Sequence, residues 1–236
     1  MPKTIIIFFG PPGSGKGTQA EMLAENTGWK KISTGDLFRA EIAAETKLGK
    51  LVDKYLKAGK LVPDKITVSL VEKSLKHKAS GFIFDGFPRN RRQLNELLAI
   101  FKKILKKNDK VYALEVAVSD REVKQRLGKR RMCACGKVYH LLYNPPINQG
   151  VCDICGGKLF IRNDDQPKVI AHRLKVYHRD GEPLLDYWQK QGSPREIASH
   201  LQSKISRGKL IKINGEQAIK KIHEEIVGKL KELRLL

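Results

Sequence analysis

Gly10-Pro-Pro-Gly-Ser-Gly-Lys-Gly-Thr18 is the stretch of this chain that decides its fold. It follows a β-branched and aromatic run, Thr4–Phe9, which is typical of a strand buried on both faces of a parallel sheet. A helical pattern starts near Gln19, so the glycines lie in the strand-to-helix turn that a phosphate-binding loop requires. In such a turn, backbone N–H groups and the helix amino terminus face one anion, and Lys16 can reach the outer phosphates. The stretch therefore predicts a binding site for a nucleoside triphosphate.

The loop differs from the general phosphate-loop pattern at one position. That pattern has Ser or Thr directly after the lysine, whereas here Gly17 intervenes and the hydroxyl arrives at Thr18. A glycine-rich turn without a ligand is the alternative interpretation. Nine residues in the right strand-to-helix context favour the phosphate loop, because such a match rarely arises by accident.

Short apolar runs predict four further strands, at residues 29–33, 81–85, 111–118 and 210–213. Apolar residues recur at helical spacing after Arg91 and again from Ile219 onward. This alternation predicts an α/β fold, a doubly wound five-stranded parallel sheet of the P-loop NTPase type. Ligands of such sheets bind at the carboxyl ends of the strands, where the phosphate loop lies.

Two stretches interrupt the alternation of strands and helices. Residues 33–62 are mostly helical in composition, and residues 129–166 are rich in Gly, Pro, Asn and Cys with short β-like pieces. We expect both to be small inserted domains. The core would then consist of residues 1–32, 63–128 and 167–236.

The chain is strongly basic, with 46 Lys and Arg residues against 25 Asp and Glu residues and a formal net charge of +21. Such an excess attracts polyanions, among them nucleic acids, anionic membranes and nucleotide phosphates. The lysines are spread along the whole chain, which favours a solvated basic surface for most of the excess. The apolar run at the start is too short for a signal segment, and no later run is long enough to span a bilayer. We therefore expect a cytoplasmic protein.

Three segments together resemble the adenylate kinase family: the Gly-Lys-Gly-Thr18 variant, Ile32-Ser-Thr-Gly-Asp-Leu-Phe-Arg39 and Phe84-Asp-Gly-Phe-Pro-Arg89. The resemblance continues through Gly59-Lys-Leu-Val62, Gln93, Arg130-Arg131, Asn144-Pro-Pro146, Arg162-Asn-Asp-Asp-Gln166 and Arg173, and so covers nearly the whole chain. It implies reversible, Mg²⁺-dependent transfer of a phosphoryl group from ATP to AMP, giving two ADP. By the same resemblance, residues 33–62 form the AMP-binding insertion, and residues 129–166 form a lid of the long bacterial type.

The resemblance also assigns site residues. Those implied for ATP are Gly13, Ser14, Gly15, Lys16, Gly17, Thr18, Arg126, Arg130, Val138, Tyr139 and Gln217. Those implied for AMP are Thr34, Arg39, Lys60, Leu61, Val62, Gly86, Phe87, Pro88, Arg89, Gln93, Arg162 and Arg173. Those implied for catalysis are Lys16, Asp85, Arg89, Arg130, Arg162 and Arg173. Asp85 would orient the hydrated magnesium, and Asp164 and Asp165 would bracket the lid hinge.

Several of these assignments also make chemical sense by themselves. Arg39 and Arg89 can grip one phosphate with paired N–H donors, and the Gln93 amide can both donate to and accept from an adenine edge. Four arginines suit phosphoryl transfer, in which charge spreads over the equatorial oxygens and positioning supplies most of the catalysis. No general base is needed. For any single arginine, a solvated surface position is the alternative, and it is strongest for Arg126.

All four cysteines fall between positions 133 and 155, which indicates a metal site rather than a disulfide framework. Cys152-Asp-Ile-Cys155-Gly156-Gly157 has the form of a zinc knuckle. Gram-positive-type lids of the family carry two C-x-x-C pairs, but Cys133-Ala-Cys135 is one residue short. We expect structural Zn²⁺ on the four cysteines, or with His140 in place of one sulfur. Iron or cobalt, and reduced thiols without a metal, remain alternatives.

Two other functions compete with adenylate kinase activity. A nucleic-acid-binding zinc-ribbon ATPase would use the net charge, but only 7% of residues are aromatic, too few for base-stacking platforms. A kinase for UMP, CMP or another monophosphate would share the fold and the phosphate chemistry. Thr34, Gln93 and the long lid favour AMP. We expect a monomer that binds ATP and AMP, with no membrane and no specific nucleic acid as partners.

Overall fold

The computed structural model describes residues 2–76, 78–106, 108–190 and 210–236. Its strands are β1 Thr4–Phe9, β2 Lys30–Ser33, β3 Gly81–Asp85, β4 Lys110–Ala117, β5 Arg130–Met132, β6 Val138–His140 and β7 Leu210–Asn214. Five of them form one sheet in the order β2-β3-β1-β4-β7, with every neighbouring pair parallel. The predicted doubly wound five-stranded parallel sheet is therefore confirmed. Two of its predicted strands begin at Lys30 and Lys110, one residue away from the prediction.

Helices connect the strands and cover the sheet. They are α1 Lys16–Thr27, α2 Thr34–Ala43, α3 Lys47–Lys57, α4 Asp64–Leu75, α5 Arg91–Ile104, α6 Asp120–Lys129, α7 Pro167–Val176, α8 Pro183–Lys190 and α9 Ile219–Glu232. The first helix starts at Lys16 rather than near Gln19, because Gly15 has a positive φ of 91° and caps it directly from the loop.

The side chains of β1 alternate between the two faces of the sheet, and they pack into a buried apolar cluster on each face. Ile5, Ile7 and Phe9 join one buried cluster, which continues into α5 and α8. Ile6 and Phe8 join the other, which continues into α1 and α9. Because both faces are buried, β1 reads as an unbroken apolar run. The sheet is thereby fixed as a rigid support for the loops that leave its strands.

The segment between β2 and β3 begins with two helices, α2 and α3, that share a small apolar cluster of their own. Phe38, Val52 and Val62 are buried there, apart from the two clusters of the sheet. Each of these helices is capped by the residue that precedes it. The Ser33 side chain accepts from the Asp36 amide, and the Thr46 side chain accepts from the Gly49 amide. Both helices fall within residues 33–62, and the inserted domain expected there stays a prediction.

The segment between α6 and α7 carries the antiparallel pair β5 and β6. A bridge between Met132 and Phe160 closes the segment on itself. Its buried cluster consists of two cysteines with one aromatic and one aliphatic side chain: Cys133, Cys152, Tyr139 and Leu159. With so small an apolar core, this segment needs a further source of stability.

The expected core segment 167–236 is described as far as residue 190 and again from residue 210, and residues 191–209 lie outside the described part. In the described ranges, no helix has the length and apolar character needed to cross a membrane.

Candidate functional site

The predicted phosphate loop lies between the end of β1 and the start of α1, at the carboxyl edge of the sheet. The Lys16 side chain turns back over the loop, and its Nζ donates to the Pro11 carbonyl oxygen at 3.0 Å. Burial of the ammonium lowers the pKa of Lys16 to about 8; Asp85 opposes this shift, and neighbouring arginines add to it. An anion bound in the loop would restore the balance of charge around Lys16.

Gly17 leaves room for a carboxylate beside the loop. A Cβ on Gly17 would lie 3.1 Å from Asp85 Oδ2, closer than side chains normally tolerate. Asp85 reaches this place because it ends β3, which is the direct neighbour of β1. The Ser33 hydroxyl, at the end of the next strand, donates to the same Asp85 oxygen at 3.1 Å. The shift of the hydroxyl from position 17 to Thr18 thus accompanies a carboxylate that approaches the loop from β3.

The remaining loop residues differ in what they offer a ligand. Gly13, Gly15 and Gly17 are partly accessible, and Thr18 is exposed. Ser14 is fully buried, and its Oγ has no hydrogen-bond partner among the described residues. The Ser14 amide donates to the Pro11 carbonyl at 3.2 Å. The Ser14 side chain thus lies in the interior of the loop, and the assignment of Ser14 to ATP stays a prediction.

A pocket lies between α2, α3 and the end of β3, and it is called the second pocket because the phosphate loop is the first candidate ligand site. It is lined by Thr34, Phe38, Leu56, Lys60, Leu61, Val62, Thr67, Gly86, Arg89 and Gln93, which include most of the predicted AMP residues. The Gly86 carbonyl ties two of them together, since Thr34 Oγ1 donates to it at 2.8 Å and Arg89 Nε at 2.7 Å. Partial removal of the guanidinium from water, followed by the charge of the nearby Arg173, lowers the pKa of Arg89.

Five predicted AMP residues lie outside the lining of this pocket, and Phe87, Pro88 and Arg39 are three of them. Phe87 is fully buried and packs on Phe84, with ring centroids 6.5 Å apart, so its side chain belongs to the core. Pro88 is also buried. Arg39 forms an ion pair with Asp36, and its side chain is 36% exposed. Of the three, only Arg39 offers its side chain to a ligand.

The arginines predicted for phosphoryl transfer lie together with the two aspartates predicted for the lid hinge. Arg130 grips the buried Asp165 in a bidentate pair, at 2.7 and 2.5 Å. Arg173 donates to the Asp164 carbonyl at 2.8 Å and to Asp165 Oδ1 at 3.2 Å. Burial would raise the pKa of Asp164, but Arg173 and then Arg130 hold it below its ordinary value. The aspartates thus anchor arginines whose remaining N–H donors are available to a ligand.

The concentration of positive charge disfavours the protonated forms of Arg162 and Arg173. Burial, followed by the charge of Arg130, lowers the pKa of Arg162 to about 9. Burial likewise lowers the pKa of Arg173, although Asp164 opposes the shift. Together with Lys16 and Arg89, these groups form a cluster in which cations destabilise one another.

Arg126 bridges three parts of the molecule rather than lying free on the surface. It donates to Glu122 at 2.7 Å, to the Gly215 carbonyl at 2.8 Å and to the Ser14 carbonyl at 3.3 Å. Its guanidinium also lies 5.8 Å from the ring centroid of Tyr143, whose hydroxyl donates to Glu122 at 3.2 Å. The interpretation of Arg126 as a solvated surface side chain is therefore wrong.

The other residues predicted for ATP divide between a buried and an accessible group. The Tyr139 side chain points into the small core of residues 129–166, where its hydroxyl accepts from the Asp153 amide at 2.8 Å. Val138 is 38% exposed. Gln217 Nε2 donates to the Asn214 carbonyl and to Glu225, each at 3.1 Å. Tyr139 can therefore reach a nucleotide only through its backbone in this conformation.

The four cysteines converge on one point. Their sulfur atoms all lie within 4.8 Å of one another, with Cys133 and Cys155 at 3.3 Å and Cys135 and Cys152 at 3.6 Å. A tetrahedral zinc ion with Zn–S bonds of about 2.3 Å would hold its sulfurs about 3.8 Å apart. The set therefore fits a tetrahedral metal after a small expansion.

The shortened knuckle reaches the cluster through a tighter turn. The Gly136 amide donates to the Cys133 carbonyl at 3.0 Å, whereas the Gly156 amide donates to the Cys152 carbonyl at 2.9 Å across one more residue. Both glycines have positive φ, 93° and 69°, which other residues rarely adopt. His140 is not part of the group: its ring stacks on Tyr143 at 4.5 Å, and its Nδ1 accepts from the Tyr143 amide at 3.1 Å. In the described residues, the potential metal group is made of the four sulfurs.

Sequence reasoning missed two residues that hold the site together. Asp64 accepts from Gln93 at 2.8 Å and from Asn90 at 3.0 Å, and Glu122 binds both Arg126 and Tyr143. Glu122 lies four residues before Arg126 on one helix, a spacing that signals an ion pair. Asp64 gave no such signal, because its partners lie 26 and 29 residues away.

Comparisons with known proteins agree with this geometry. The family model described as adenylate kinase matches residues 8–193. A protein named adenylate kinase from Methanosarcina barkeri is 42% identical over 229 residues, which cover 96% of this chain and 98% of that protein. Proteins of the same name from Methanothrix thermoacetophila and Acidothermus cellulolyticus are each 46% identical over 79% of this chain and 87% of their own length. Given a family match over most of its length, and a relative of the same name 42% identical over nearly all of both chains, the chain belongs to the adenylate kinase family of phosphotransferases.

Proposed function

We propose that this protein catalyses the reversible, Mg²⁺-dependent transfer of a phosphoryl group from ATP to AMP, giving two ADP. The observation that carries the proposal is the cluster of Lys16, Arg89, Arg130, Arg162 and Arg173, which joins the phosphate loop to the pocket lined by Arg89. In the described part of the chain, the carboxylates that act on these five cationic side chains are Asp85, Asp164 and Asp165. Phosphates from two nucleotides would supply the missing negative charge.

On the ATP side, the proposal assigns the phosphates to the loop and to Lys16. Backbone N–H groups at the start of α1 would bind the phosphate oxygens, and Lys16 would exchange its bond to the Pro11 carbonyl for a bond to a phosphate. Arg126 would lie against the base or ribose, since it already joins the loop to Gly215. The Val138 and Tyr139 backbone and Gln217 are proposed to complete this end.

Asp85 and Thr18 are the residues that fit a magnesium ion. The space beside Gly17 lets the Asp85 carboxylate approach the loop, and oxygen ligands are what Mg²⁺ requires. Bound with ATP, the ion would neutralise charge on the phosphates. Magnesium keeps several waters, so a carboxylate that orients those waters would serve as well as a direct ligand.

On the AMP side, Thr34 and the Lys60 to Val62 turn are proposed to enclose the nucleoside, and Arg39 and Arg89 to hold the phosphate. Gln93 would contact the base. Arg162 and Arg173 would then contact the phosphoryl group in transfer, where charge spreads over its equatorial oxygens. No side chain needs to act as a general base, because catalysis rests on positioning and on positive charge.

Closure of residues 33–62 and 129–166 over the core is proposed to exclude water, which would otherwise accept the phosphoryl group. Asp164 and Asp165 lie at the junction of the second segment with α7 and hold Arg130 and Arg173 there. Movement of this segment would therefore carry arginines toward the phosphates. That the enzyme is a monomer of the cytoplasm stays a prediction.

Turnover with a panel of monophosphates tests the proposed reaction. With MgATP, we expect AMP to give ADP with a kcat/KM at least about a hundredfold above those for UMP, CMP and GMP, because a site with fixed hydrogen-bonding groups rejects the wrong base strongly. The measurement is initial ADP formation for each acceptor. Equal or greater turnover with UMP or CMP would identify a pyrimidine monophosphate kinase instead.

We also propose that the four cysteines bind one structural Zn²⁺. Four sulfurs within 4.8 Å of one another would leave no open position on a tetrahedral ion, so the metal would have no place for substrate. It would stabilise a segment whose apolar core is small. Iron or cobalt would suit the same four thiolates.

Removal of the metal is expected to unfold residues 129–166 locally. The Cys135→Ser variant should lose the metal and expose this segment to protease, and its kcat should fall at least about tenfold because the lid no longer closes. The matched control is Ile147→Ser, at an 86% exposed lid position away from the cluster. Elemental analysis and limited proteolysis provide the measurement. A purified protein with four reduced thiols, no metal and an intact lid would contradict the zinc proposal.

A further inference from the structure

The side-chain amide of Gln93 is held at both ends. Its Oε1 accepts from the backbone amide of Arg89 at 2.8 Å, and its Nε2 donates to Asp64 Oδ1 at 2.8 Å. Gln93 is 2% exposed, so its amide is shielded from water, whereas Asp64 is partly accessible. Both bonds contribute to orienting one amide in the wall of the second pocket.

The two partners leave only one orientation for this amide. A backbone N–H can only donate, and an ionised carboxylate can only accept. Rotation of the amide by half a turn would set Nε2 against the Arg89 N–H and Oε1 against the Asp64 carboxylate, two repulsive contacts in place of two bonds. The positions of oxygen and nitrogen in Gln93 are thus dictated by chemistry.

Asn90 holds Asp64 by the same logic. Its Oδ1 accepts from the Gln93 backbone amide at 2.8 Å, which directs its Nδ2 toward Asp64 Oδ1 at 3.0 Å. Asp64 therefore receives two amide donors, and each of these amides also accepts from a backbone N–H at its other end. In the described residues, Asp64 forms one ion pair, with the exposed Arg92 at 4.0 Å.

We propose that Asp64 is a positioning residue that sets the base specificity of the monophosphate site by fixing the orientation of Gln93. The proposal rests on the proposed function, in which Gln93 contacts the base of AMP. After its bonds to Arg89 and Asp64, the Gln93 amide retains one N–H and one lone-pair position of its oxygen. It therefore presents a donor and an acceptor in a fixed order.

The order of donor and acceptor distinguishes 6-aminopurines from 6-oxopurines. Adenine carries an amino donor at position 6 next to a ring nitrogen acceptor, whereas hypoxanthine and guanine carry a carbonyl acceptor at position 6 next to a ring N–H. A freely rotating amide could pair with either arrangement by turning over. A fixed amide pairs with one and leaves the other with two mismatched contacts, so Asp64 would reject IMP and GMP without touching them.

Asp64→Asn tests this inference, because asparagine keeps the size but offers both a donor and an acceptor to Gln93. We expect the ratio of kcat/KM for AMP to that for IMP to fall about tenfold, mainly through a lower KM for IMP. IMP is the suitable probe because it differs from AMP only at the 6-position and the adjoining ring nitrogen. Both acceptors are measured on one preparation, so the ratio does not depend on the folded fraction. Asp64→Ser, which also donates and accepts, provides a second variant.

Asp120→Asn is the matched control, since it neutralises a first-turn carboxylate on α6, outside the Gln93 network. It should leave the ratio unchanged. Gln93→Ala separates this inference from the proposed function and should raise the KM for AMP. If it does so while Asp64→Asn and Asp64→Ser keep the parental ratio, the role of Asp64 is overturned and the proposed function stands. If Gln93→Ala leaves the KM for AMP unchanged, base recognition by Gln93 is wrong, and this inference is overturned with it.

Discussion

Lys16→Ala is expected to lower kcat about a thousandfold, the scale seen when a preorganised charge is removed from a transition state. Lys16 supplies the mobile charge of the phosphate loop, and it lies within bonding distance of the loop at Pro11. Burial lowers the pKa of Lys16, because the loop holds a partly desolvated cation at this place. Binding of the triphosphate would relieve that cost. Steady-state ADP formation at saturating MgATP and AMP provides the measurement.

Lys124→Ala is the matched control for this result, because Lys124 is an exposed lysine on α6. Its kcat should match that of the parent enzyme. Thermal unfolding of both variants separates loss of chemistry from loss of fold, and the two melting temperatures are expected to stay close to the parent. A Lys16→Ala enzyme that keeps more than about a tenth of the parental kcat would contradict a catalytic role for the loop lysine.

Arg89→Ala is expected to lower kcat/KM for AMP about a thousandfold, with a smaller effect on the KM for ATP. Arg89 lines the second pocket, and its Nε donates to the Gly86 carbonyl at 2.7 Å, which leaves its terminal nitrogens available. A bidentate guanidinium on a phosphate fixes direction as well as charge, so Arg89→Lys should recover only a small part of the activity. Initial rates over a matrix of both substrates separate the effects on ATP and AMP.

Arg91→Ala is the control for Arg89, since this arginine lies two positions further along the chain and stacks on the Tyr187 ring at 4.5 Å. We expect near-parental kinetics from it. Equal losses for ATP and AMP in Arg89→Ala would show that Arg89 acts on the fold of the cleft or on both nucleotides alike. That result would contradict the assignment to the AMP phosphate.

The sequence predicts those parts of the site whose residues lie close together along the chain. The phosphate loop and β1 are local patterns, and Asp85 follows a recognisable apolar run, so their meeting at one sheet edge follows from parallel pairing. The sequence predicts a helix start near Gln19, whereas α1 begins at Lys16. The difference arises because a glycine with positive φ can cap a helix without any polar signal.

The sequence does not reveal whether a side chain in a motif points toward the ligand or into the core. Phe87 and Tyr139 lie in segments that resemble nucleotide-binding motifs, yet both side chains are buried in apolar clusters. A motif does not separate residues that offer their backbone from residues that offer their side chain. Asp64 was missed for a different reason, since its bonds to Asn90 and Gln93 form only when α4 and α5 pack together. Such contacts depend on tertiary structure and leave no spacing in the sequence.

The fate of a labelled phosphoryl group tests the central claim most directly. The enzyme would be incubated with Mg²⁺, AMP and ATP labelled at its γ-phosphorus, and the products separated. If one cationic cluster holds both nucleotides, the label should appear as the β-phosphate of ADP, and only when AMP is present. Almost no label should appear in inorganic phosphate. Label released as inorganic phosphate at a rate independent of AMP would contradict the account and identify an ATPase.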